Sequence, residues 1–340
     1  MNIPFMPSRA SCAMATLILL GAFGTVQAAT FKDPRFESLQ DAGKYSDLEQ
    51  LAQARLKANP GDAEASAALS LALTFVDAGD AKRLDAGARQ ARLCIEQHPM
   101  AAACHLAAAE NLGMQMVNMG MAKAMRSAGT LKDAWIRTLE LDPGSFTARV
   151  QLAKLYVTLP GMLGGSLSKA RDLEAAVRSS QPETARIIRV HIAAEDKKWA
   201  EMESELLALK PSQDGAMRKE VREATTQLAK VFLNDSKDLA RATRLYQTLQ
   251  RDQPDTASGF YGMSRVYAAQ GQTDEAIRNL ERARALGDAA EYPIDHRLGD
   301  AYLAKGDKAQ AKAAYERYLA NKRANPANLE SARKSLSQIN

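Results

Sequence analysis

Apolar and small residues recur at helical spacing along most of the chain, and few segments alternate with the period-two pattern of a strand. The pattern is clearest in FYGMSRVYAAQGQTDEAIRNLERARALG (260–287), where two amphipathic segments meet at Gly271. Aromatic residues make up only 6% of the chain, and alanine is abundant. The sequence therefore predicts an all-α protein built from helical hairpins.

The same pattern returns 35 residues further on, in DHRLGDAYLAKGDKAQAKAAYERYLA, again with a glycine between the two segments. We expect the small residue at the eighth position of each unit to let the paired helix approach closely, and the aromatic residue at the eleventh to fill the space beside it. The corresponding residues are Phe260, Met263, Ser264, Tyr267, Gly271, Ala276, Leu280 and Ala283 in the first unit, and Asp295, Leu298, Gly299, Tyr302, Gly306, Ala311, Tyr315 and Tyr318 in the second.

These units resemble tetratricopeptide repeats, and weaker copies follow the same frame upstream. The weaker copies carry Leu228, Ala229, Phe232, Ala242, Tyr246 and Pro254, then Leu152, Ala153, Tyr156, Ala170 and Pro182, then Gly87, Ala91, Cys94 and Pro99. The resemblance implies an all-α fold, a right-handed α-solenoid of seven to eight uneven units over residues 29–325, clearest at 257–290 and 292–325. Segment 326–340 has a polar outer face and is expected to form the capping helix that closes a solenoid.

The N-terminus has the pattern of a secretory signal peptide over residues 1–28. Arg9 precedes the apolar run CAMATLILLGAFGTV, and small residues stand at the −3 and −1 positions of a cleavage site after Ala28. Cleavage after Ala29 is the close alternative. An uncleaved membrane anchor is a further one, although the run is shorter than the roughly 20 residues that a span needs. We expect a periplasmic or secreted mature protein without stable membrane insertion.

Charge and motifs argue against several function classes. The formal net charge is +5, and no basic block is interleaved with aromatic residues, so nucleic acid is not an expected partner. The insertion TLPGMLGGSLSKA lacks the Gly-Lys-Ser/Thr end of a phosphate loop. Its Ser166 and Lys169 have the spacing of a Ser-x-x-Lys nucleophile without the partner motifs, and Ser166 is better explained as a helix cap. We predict no enzyme activity, no cofactor and no metal.

Cys94 and Cys104 are the two cysteines after the predicted signal peptide, and each lies five residues from Pro99. Positions equidistant from the turn of an antiparallel helix pair face one another, so a disulfide is expected in an oxidising compartment. Two buried reduced thiols are the alternative. A metal site with His98 and His105 is a third possibility, which oxidation of the thiols would remove.

The run GMQMVNMGMAKAM (113–125) contains five methionines. On one continuous helix, Met114, Met121 and Met125 would share a face, and Met116 and Met119 would point to the opposite side. Since Met114 and Met125 would then lie about 16 Å apart along the axis, a copper site is disfavoured. We expect core packing for the first three and leave Met116 and Met119 as candidates for the concave surface.

Resemblance to the family implies that the concave face, lined mainly by the first helix of each unit, binds a protein or an extended peptide. The candidates on this face are Thr226, Lys230, Asn234, Tyr261, Arg265, His296 and Asp300, together with Met116 and Met119. The lysine and asparagine pattern of the carboxylate clamp in chaperone-binding members is absent at the fifth and ninth positions.

Two functions follow as hypotheses. The first is a non-catalytic periplasmic scaffold or adaptor that binds a protein or peptide partner in the cell envelope. The alternative is an accessory carrier of a small or lipophilic ligand for an envelope transport system. An enclosed apolar pore would favour the carrier, an open polar groove would favour the scaffold, and an enzyme would need acidic residues converging with His191 or His296 in a cleft.

Overall fold

The computed structural model describes residues 29–321 and 325–339, and these form a right-handed α-solenoid of stacked helical hairpins. The predicted signal peptide, residues 1–28, lies outside the described residues. The part of the chain that the structure describes contains 17 α-helices and no strand, so the predicted fold class is confirmed.

Sixteen of the helices pair into eight antiparallel hairpins, and the last helix packs on the eighth. The first helix of each hairpin is odd-numbered and the second is even-numbered. In chain order the helices are α1 (Pro34–Asp41), α2 (Tyr45–Ala58), α3 (Ala63–Phe75), α4 (Ala81–Gln97), α5 (Ala102–Asn118), α6 (Met121–Leu141), α7 (Phe146–Thr158), α8 (Leu167–Ala175), α9 (Pro182–Glu195), α10 (Trp199–Leu207), α11 (Gly215–Lys230), α12 (Leu239–Asp252), α13 (Ala257–Ala269), α14 (Thr273–Arg284), α15 (Ile294–Ala304), α16 (Lys308–Ala320) and α17 (Pro326–Ile339).

Three short elements interrupt this regular order. A 3₁₀ turn over Gly161–Leu163 lies within the predicted insertion between α7 and α8, and a second one, Ala289–Glu291, precedes α15. A π-helical turn, Val231–Asp235, continues α11. Because a π turn carries an extra residue, the α-helical frame used to place side chains after Lys230 shifts at this point.

Short polar side chains begin many of the helices by accepting a hydrogen bond from the first turn. Ser166 is one of them, because its Oγ accepts from the Lys169 amide, and the predicted capping role of Ser166 is confirmed. The capping residues are Asp33, Asp62, Asp80, Ser145, Ser166, Asp214, Asp238 and Asp307.

The small residue at the eighth repeat position allows close packing within a hairpin, as predicted. A Cβ added at Gly299 on α15 would lie 2.6 Å from Cδ1 of Tyr315 on α16. The Tyr315 ring is fully buried against this glycine. A larger residue at position 299 would therefore force the two helices apart.

Helix α17 covers the end of the stack. Ala332 is buried in a cluster with Ala311, Tyr315 and Tyr318 of α16, and Leu329 and Leu336 pack against it. This packing removes the apolar face of the eighth hairpin from water.

Candidate binding surface

The inner surface of the superhelix is formed by the first helices of the hairpins, which contact one another as well as their own partners. Contacts join α3 to α5, α7 to α9, α9 to α11 and α11 to α13. Helix α11 is the centre of this surface, because it also reaches back to α7 and to α1. The curvature of the stack therefore brings the sixth hairpin against the first.

Glu220 of α11 fastens three of these inner helices together. Its carboxylate accepts hydrogen bonds from Lys154 Nζ (3.0 Å) and Gln151 Nε2 (2.9 Å) of α7, and it lies 3.1 Å from His191 Nε2 of α9. The residue is only 5% exposed. Burial acts to raise the pKa of Glu220, but the hydrogen bonds and charges of His191 and Lys154 outweigh it and lower the pKa to about 2. Glu220 is therefore an ionised group in a satisfied network.

A second point of closure joins the start of α11 to α1. The Gly215 amide donates to Asp41 Oδ1 at 3.1 Å, and the two residues are 174 positions apart. A Cβ at position 215 would lie 2.7 Å from the Asp41 Cα, so only glycine permits this approach. One turn along α11, the Lys219 ammonium lies 5.9 Å from the centroid of the Phe75 ring of α3.

Glu110 of α5 lies inside this closed part of the solenoid. Burial raises the pKa of Glu110, the charge of Lys219 opposes that rise, and the carboxylates of Glu220 and Glu223 add to it. The inner surface between α3, α5, α7, α9 and α11 therefore carries charged groups of both signs.

Towards the C-terminal end, the predicted groove residues of α11 and α13 form a set of exposed donors. Lys230 and Asn234 are exposed, and Arg265 Nη2 donates to Asn234 Oδ1 at 2.9 Å. Thr226 is half-buried, and its Oγ1 has no hydrogen-bond partner among the described residues. The structure thus brings Asn234 and Arg265 into contact, and exposed Lys230 lies at the end of α11, four residues before Asn234.

Tyr261 is less accessible than the repeat frame predicted. It is buried, and its ring centroid lies 5.0 Å from that of Tyr292. Asp300 of α15 is half-buried, accepts from Arg297 Nη1 at 3.0 Å and from Tyr315 Oη at 2.8 Å. Tyr261 therefore has little surface to offer a partner, whereas the Asp300 side chain keeps 38% of its surface exposed.

The prediction that His296 faces a partner is wrong. The residue is 2% exposed, and its ring packs against those of Tyr315 and Tyr318, with centroid distances of 6.1 and 5.3 Å. Neither ring nitrogen has a hydrogen-bond partner within the described part of the chain, and Asp300 Oδ1 lies 3.9 Å from Nε2. Burial lowers the pKa of His296, against the opposing charge of Asp300. His296 is a core residue of the eighth hairpin.

The interpretation of residues 113–125 as one helix is also wrong. Helix α5 ends at Asn118, Met119 adopts an extended conformation, and α6 begins at Met121. Met121 and Met125 are exposed, contrary to the predicted core packing. Met116 is half-buried against the N-terminal core and Met119 is half-buried in the turn. The helical wheel failed because Gly120 marks a hairpin turn within the run.

Cys94 of α4 and Cys104 of α5 are joined by a disulfide, with their Cα atoms 5.4 Å apart. Both side chains are fully buried, next to the Ala63 carbonyl. Because the thiols are bonded to each other, they are not free to ligate a metal with His98 or His105. In residues 29–321 and 325–339, no three His, Cys, Asp or Glu side chains are grouped so that they could hold a metal ion.

The Glu220 network and the Asp41–Gly215 contact were not foreseen from the sequence. One feature of the sequence did indicate an inner-surface position for Lys154. It follows Leu152 and Ala153 and therefore stands at the ninth position of its repeat, the position that Lys230 holds in a later repeat. Glu220 precedes the repeat frame of its own unit, and nothing in the sequence marks Asp41 as the partner of Gly215.

Two clefts open between neighbouring helices of the solenoid. One, with an accessible volume of about 30 Å³, lies beside the short helix α10 and is lined by Leu206, Leu209, Met217, Val221 and Leu245 with a polar rim. The other, of about 210 Å³, is lined mainly by charged groups of α8, α9 and α10, including the ion pairs of Glu174 with Arg178 and Arg189. Neither cleft is an enclosed apolar pore.

Among the described helices, none combines the length and the hydropathy required to cross a bilayer.

Comparison with known proteins identifies one repeat and the fold. Residues 296–325 match the model of the tetratricopeptide repeat family. No curated protein sequence matches the chain. Among solved structures, yeast Tom70 superimposes with a TM-score of 0.60 at 14% identity, over 86% of this chain and 59% of that one. A thermophilic TPR protein of Thermus thermophilus aligns with a TM-score of 0.34 at 19% identity, over 67% of this chain and 99% of that one.

This chain therefore contains a tetratricopeptide repeat and has the fold of a tetratricopeptide-repeat solenoid. It spans 59% of the length of the Tom70 structure that it matches. Such a helical scaffold is suited to protein–protein interaction.

Proposed function

We propose that this chain is a non-catalytic scaffold of the bacterial cell envelope, which binds a protein or an extended peptide on its inner surface in the periplasm. The observation that carries the proposal is the contact between Arg265 of α13 and Asn234, which follows α11, together with the exposure of Lys230 at the end of α11; we refer to these three residues as the donor cluster. These three side chains are exposed or half-buried, and two neighbouring hairpins position them.

The chemistry of the cluster fits a partner that presents hydrogen-bond acceptors. Arg265 uses one of its five N–H groups on Asn234, and the Asn234 amide nitrogen and the Lys230 ammonium remain able to donate outward. An extended peptide presents backbone carbonyls at regular spacing, and acidic side chains add carboxylates, which pair strongly with arginine. The exposed carboxylate of Asp235 borders the cluster and would discriminate against peptides with closely spaced acidic residues on that side.

Peptide binding tests this proposal directly. Fluorescence anisotropy of labelled acidic, neutral and basic peptides of equal length should show binding to the acidic and neutral ones. Lys230→Ala and Arg265→Ala should each weaken that binding about tenfold, the loss expected from truncating a contributing interface residue. Lys308→Ala is the matched control, because Lys308 is exposed at the start of the outer helix α16. Equal effects of the groove and control variants would remove the support for this surface.

The partner itself can be sought by placing a photo-crosslinking amino acid at position 230 in cells, with position 308 as the control. A specific adduct should form at position 230 and should weaken when Arg265 is replaced by alanine. Adducts of the same pattern at both positions would count against the proposed surface.

Export to the periplasm is the part of the proposal that rests on the N-terminal sequence. The mature protein recovered from cells should begin at Ala29, or at Thr30 if cleavage follows Ala29. An intact N-terminus in the cytoplasmic fraction would contradict it.

The carrier alternative lacks a supporting observation. The apolar cleft beside α10 has room for about two water molecules, since a single probe sphere needs roughly 10–15 Å³. The larger cleft has ion pairs in its wall, which suits neither a lipophilic tail nor a closed carrier cavity.

A further inference from the structure

The α5–α6 hairpin extends beyond the hairpin that follows it. Helices α5 and α6 have 17 and 21 residues, whereas α7 has 13. A helix rises about 1.5 Å per residue, so the first two turns of α6 and the last turn of α5 project past the end of α7. This projecting end is the tip of the α5–α6 hairpin.

This tip carries apolar side chains that nothing in the described chain covers. Val117 is 77% exposed, Met121 is 78% exposed and Met125 is 42% exposed. Met121 and Met125 lie on the same face of α6 as Ala128, which is buried. The apolar face of α6 that is buried at Ala128 therefore continues to Met125 and Met121, where no neighbouring helix among those described covers it.

The insertion between α7 and α8 lies beside the same part of α6. Its 3₁₀ turn contacts α6, and a Cβ at Gly164 would lie 2.8 Å from Lys132 Nζ. Met162, within that turn, is 91% exposed. Lys132 follows Met125 by seven residues, about 10 Å along the helix axis. Val117, Met121, Met125 and Met162, here called the methionine tip, thus project from one edge of the solenoid.

Basic residues of α6 flank the exposed methionines of the methionine tip in the sequence. No acidic residue occurs between Glu110 and Asp133, or between Asp142 and Asp172. The first stretch supplies two exposed cations on α6 beside the exposed methionines, and the second supplies two more at the start of α8, of which Arg171 also lines the charged cleft with Glu174 and Glu201. None of the four forms an ion pair in the described part of the chain. The exposed cations are Lys123, Arg126, Lys169 and Arg171.

We infer that the methionine tip docks on the surface of an anionic phospholipid bilayer. Apolar side chains on a projecting tip can enter the boundary between headgroups and acyl chains, while flanking lysine and arginine side chains contact the lipid phosphates. Flexible methionine side chains adapt to such an irregular environment. Neither of the two clefts includes these side chains, so a partner peptide has no groove to enter at this place. The docking is peripheral and independent of the peptide surface on α11 and α13.

Vesicle binding by the full chain tests this inference. The dissociation constant for vesicles of phosphatidylglycerol and phosphatidylethanolamine should be much lower than that for phosphatidylcholine vesicles, and the difference should shrink at high salt. Replacing Lys123 and Arg126 by glutamine together should weaken binding to the anionic vesicles about 30-fold, roughly fivefold for each basic residue. Lys57→Gln with Arg92→Gln removes two exposed cations elsewhere and is the matched control.

A local probe separates this surface from any binding through the N-terminal apolar segment. In the variant Met121→Trp, the added fluorescence should shift to the blue on anionic vesicles and should be quenched by brominated lipid. The inference is overturned if the chain binds vesicles while the tryptophan at position 121 remains in water. It is also overturned if the chain does not bind anionic vesicles, or if the control pair weakens binding as much as the test pair.

Discussion

The backbone amide of Gly215 donates to the carboxylate of Asp41 across a sequence separation of 174 residues, and this bond joins the sixth hairpin of the solenoid to the first. Replacing Gly215 by alanine would place a Cβ 2.7 Å from the Asp41 Cα. The Asp41 Cα is a backbone atom and can move only if the end of α1 shifts. We therefore expect Gly215→Ala to destabilise the folded chain by about 1–3 kcal/mol. Hydrogen exchange should also accelerate in α1.

The control for this prediction is Gly129→Ala in the interior of α6, where nothing lies within 4 Å of an added Cβ. Because alanine favours a helix over glycine, this variant should be stabilised by up to about 1 kcal/mol. Unchanged exchange of α1 in Gly215→Ala would show that the contact does not hold the two hairpins together.

Glu220→Gln should destabilise the inner surface. The substitution leaves Lys154 and His191 without their carboxylate partner in a buried place, and removal of one member of such a network costs about 3 kcal/mol. Chemical denaturation at pH 7 measures the loss. Glu223→Gln, an exposed change on the same helix, should alter stability by less than about 0.5 kcal/mol.

The same residue gives a prediction in acid. The pKa of Glu220 is about 2 in the folded chain and near 4.5 when unfolded, so its stabilising effect is complete above pH 4.5 and is lost as the pH falls towards 2. The total is on the order of 3 kcal/mol, at about 1.4 kcal/mol for each unit of pKa. The stability of Glu220→Gln should therefore change less over this pH range than that of the wild type.

His296 should make the eighth hairpin sensitive to mild acid. Its folded pKa lies below the ordinary 6.5, so the unfolded chain takes up a proton first as the pH falls. The stability that depends on neutral His296 is present above pH 6.5 and is lost below it, although Asp300 reduces the loss and Arg297 increases it. His296→Phe, which keeps an aromatic ring between Tyr315 and Tyr318, should remove this dependence. Hydrogen exchange in α15 and α16 at pH 7 and pH 5 distinguishes the two chains.

Reduction of the Cys94–Cys104 disulfide should weaken the second and third hairpins. The bond closes a loop with a sequence separation of 10, which corresponds to about 2–3 kcal/mol of loop-closure entropy. The double variant Cys94→Ala with Cys104→Ala should be destabilised by at least this amount and should no longer respond to dithiothreitol. Equal stability of oxidised and reduced wild type would contradict the prediction.

The fold could be predicted because each repeat is locally consistent. Ser166 at a helix start and Gly299 opposite Tyr315 are both explained by neighbours a few residues or one helix away. The same frame placed Asn234 and Arg265 on neighbouring hairpins, and the contact between them needs only two adjacent hairpins.

The inner surface could be predicted only in part, because its chemistry depends on curvature. The pairing of Glu220 with Lys154 and of Gly215 with Asp41 needs the accumulated rotation of several hairpins, which no single repeat encodes. His296 was misplaced because an average repeat position says nothing of the two tyrosine rings that enclose it here. The methionine run was misplaced because its pattern also fits two helices separated by Gly120.

The bond between Asp41 and Gly215 also sets an order of events during folding. A solenoid whose hairpins touch only their neighbours can complete each one locally. Here α1 comes first in the chain, but its partner on α11 follows 174 residues later. The first hairpin therefore acquires all its contacts only after the sixth has formed.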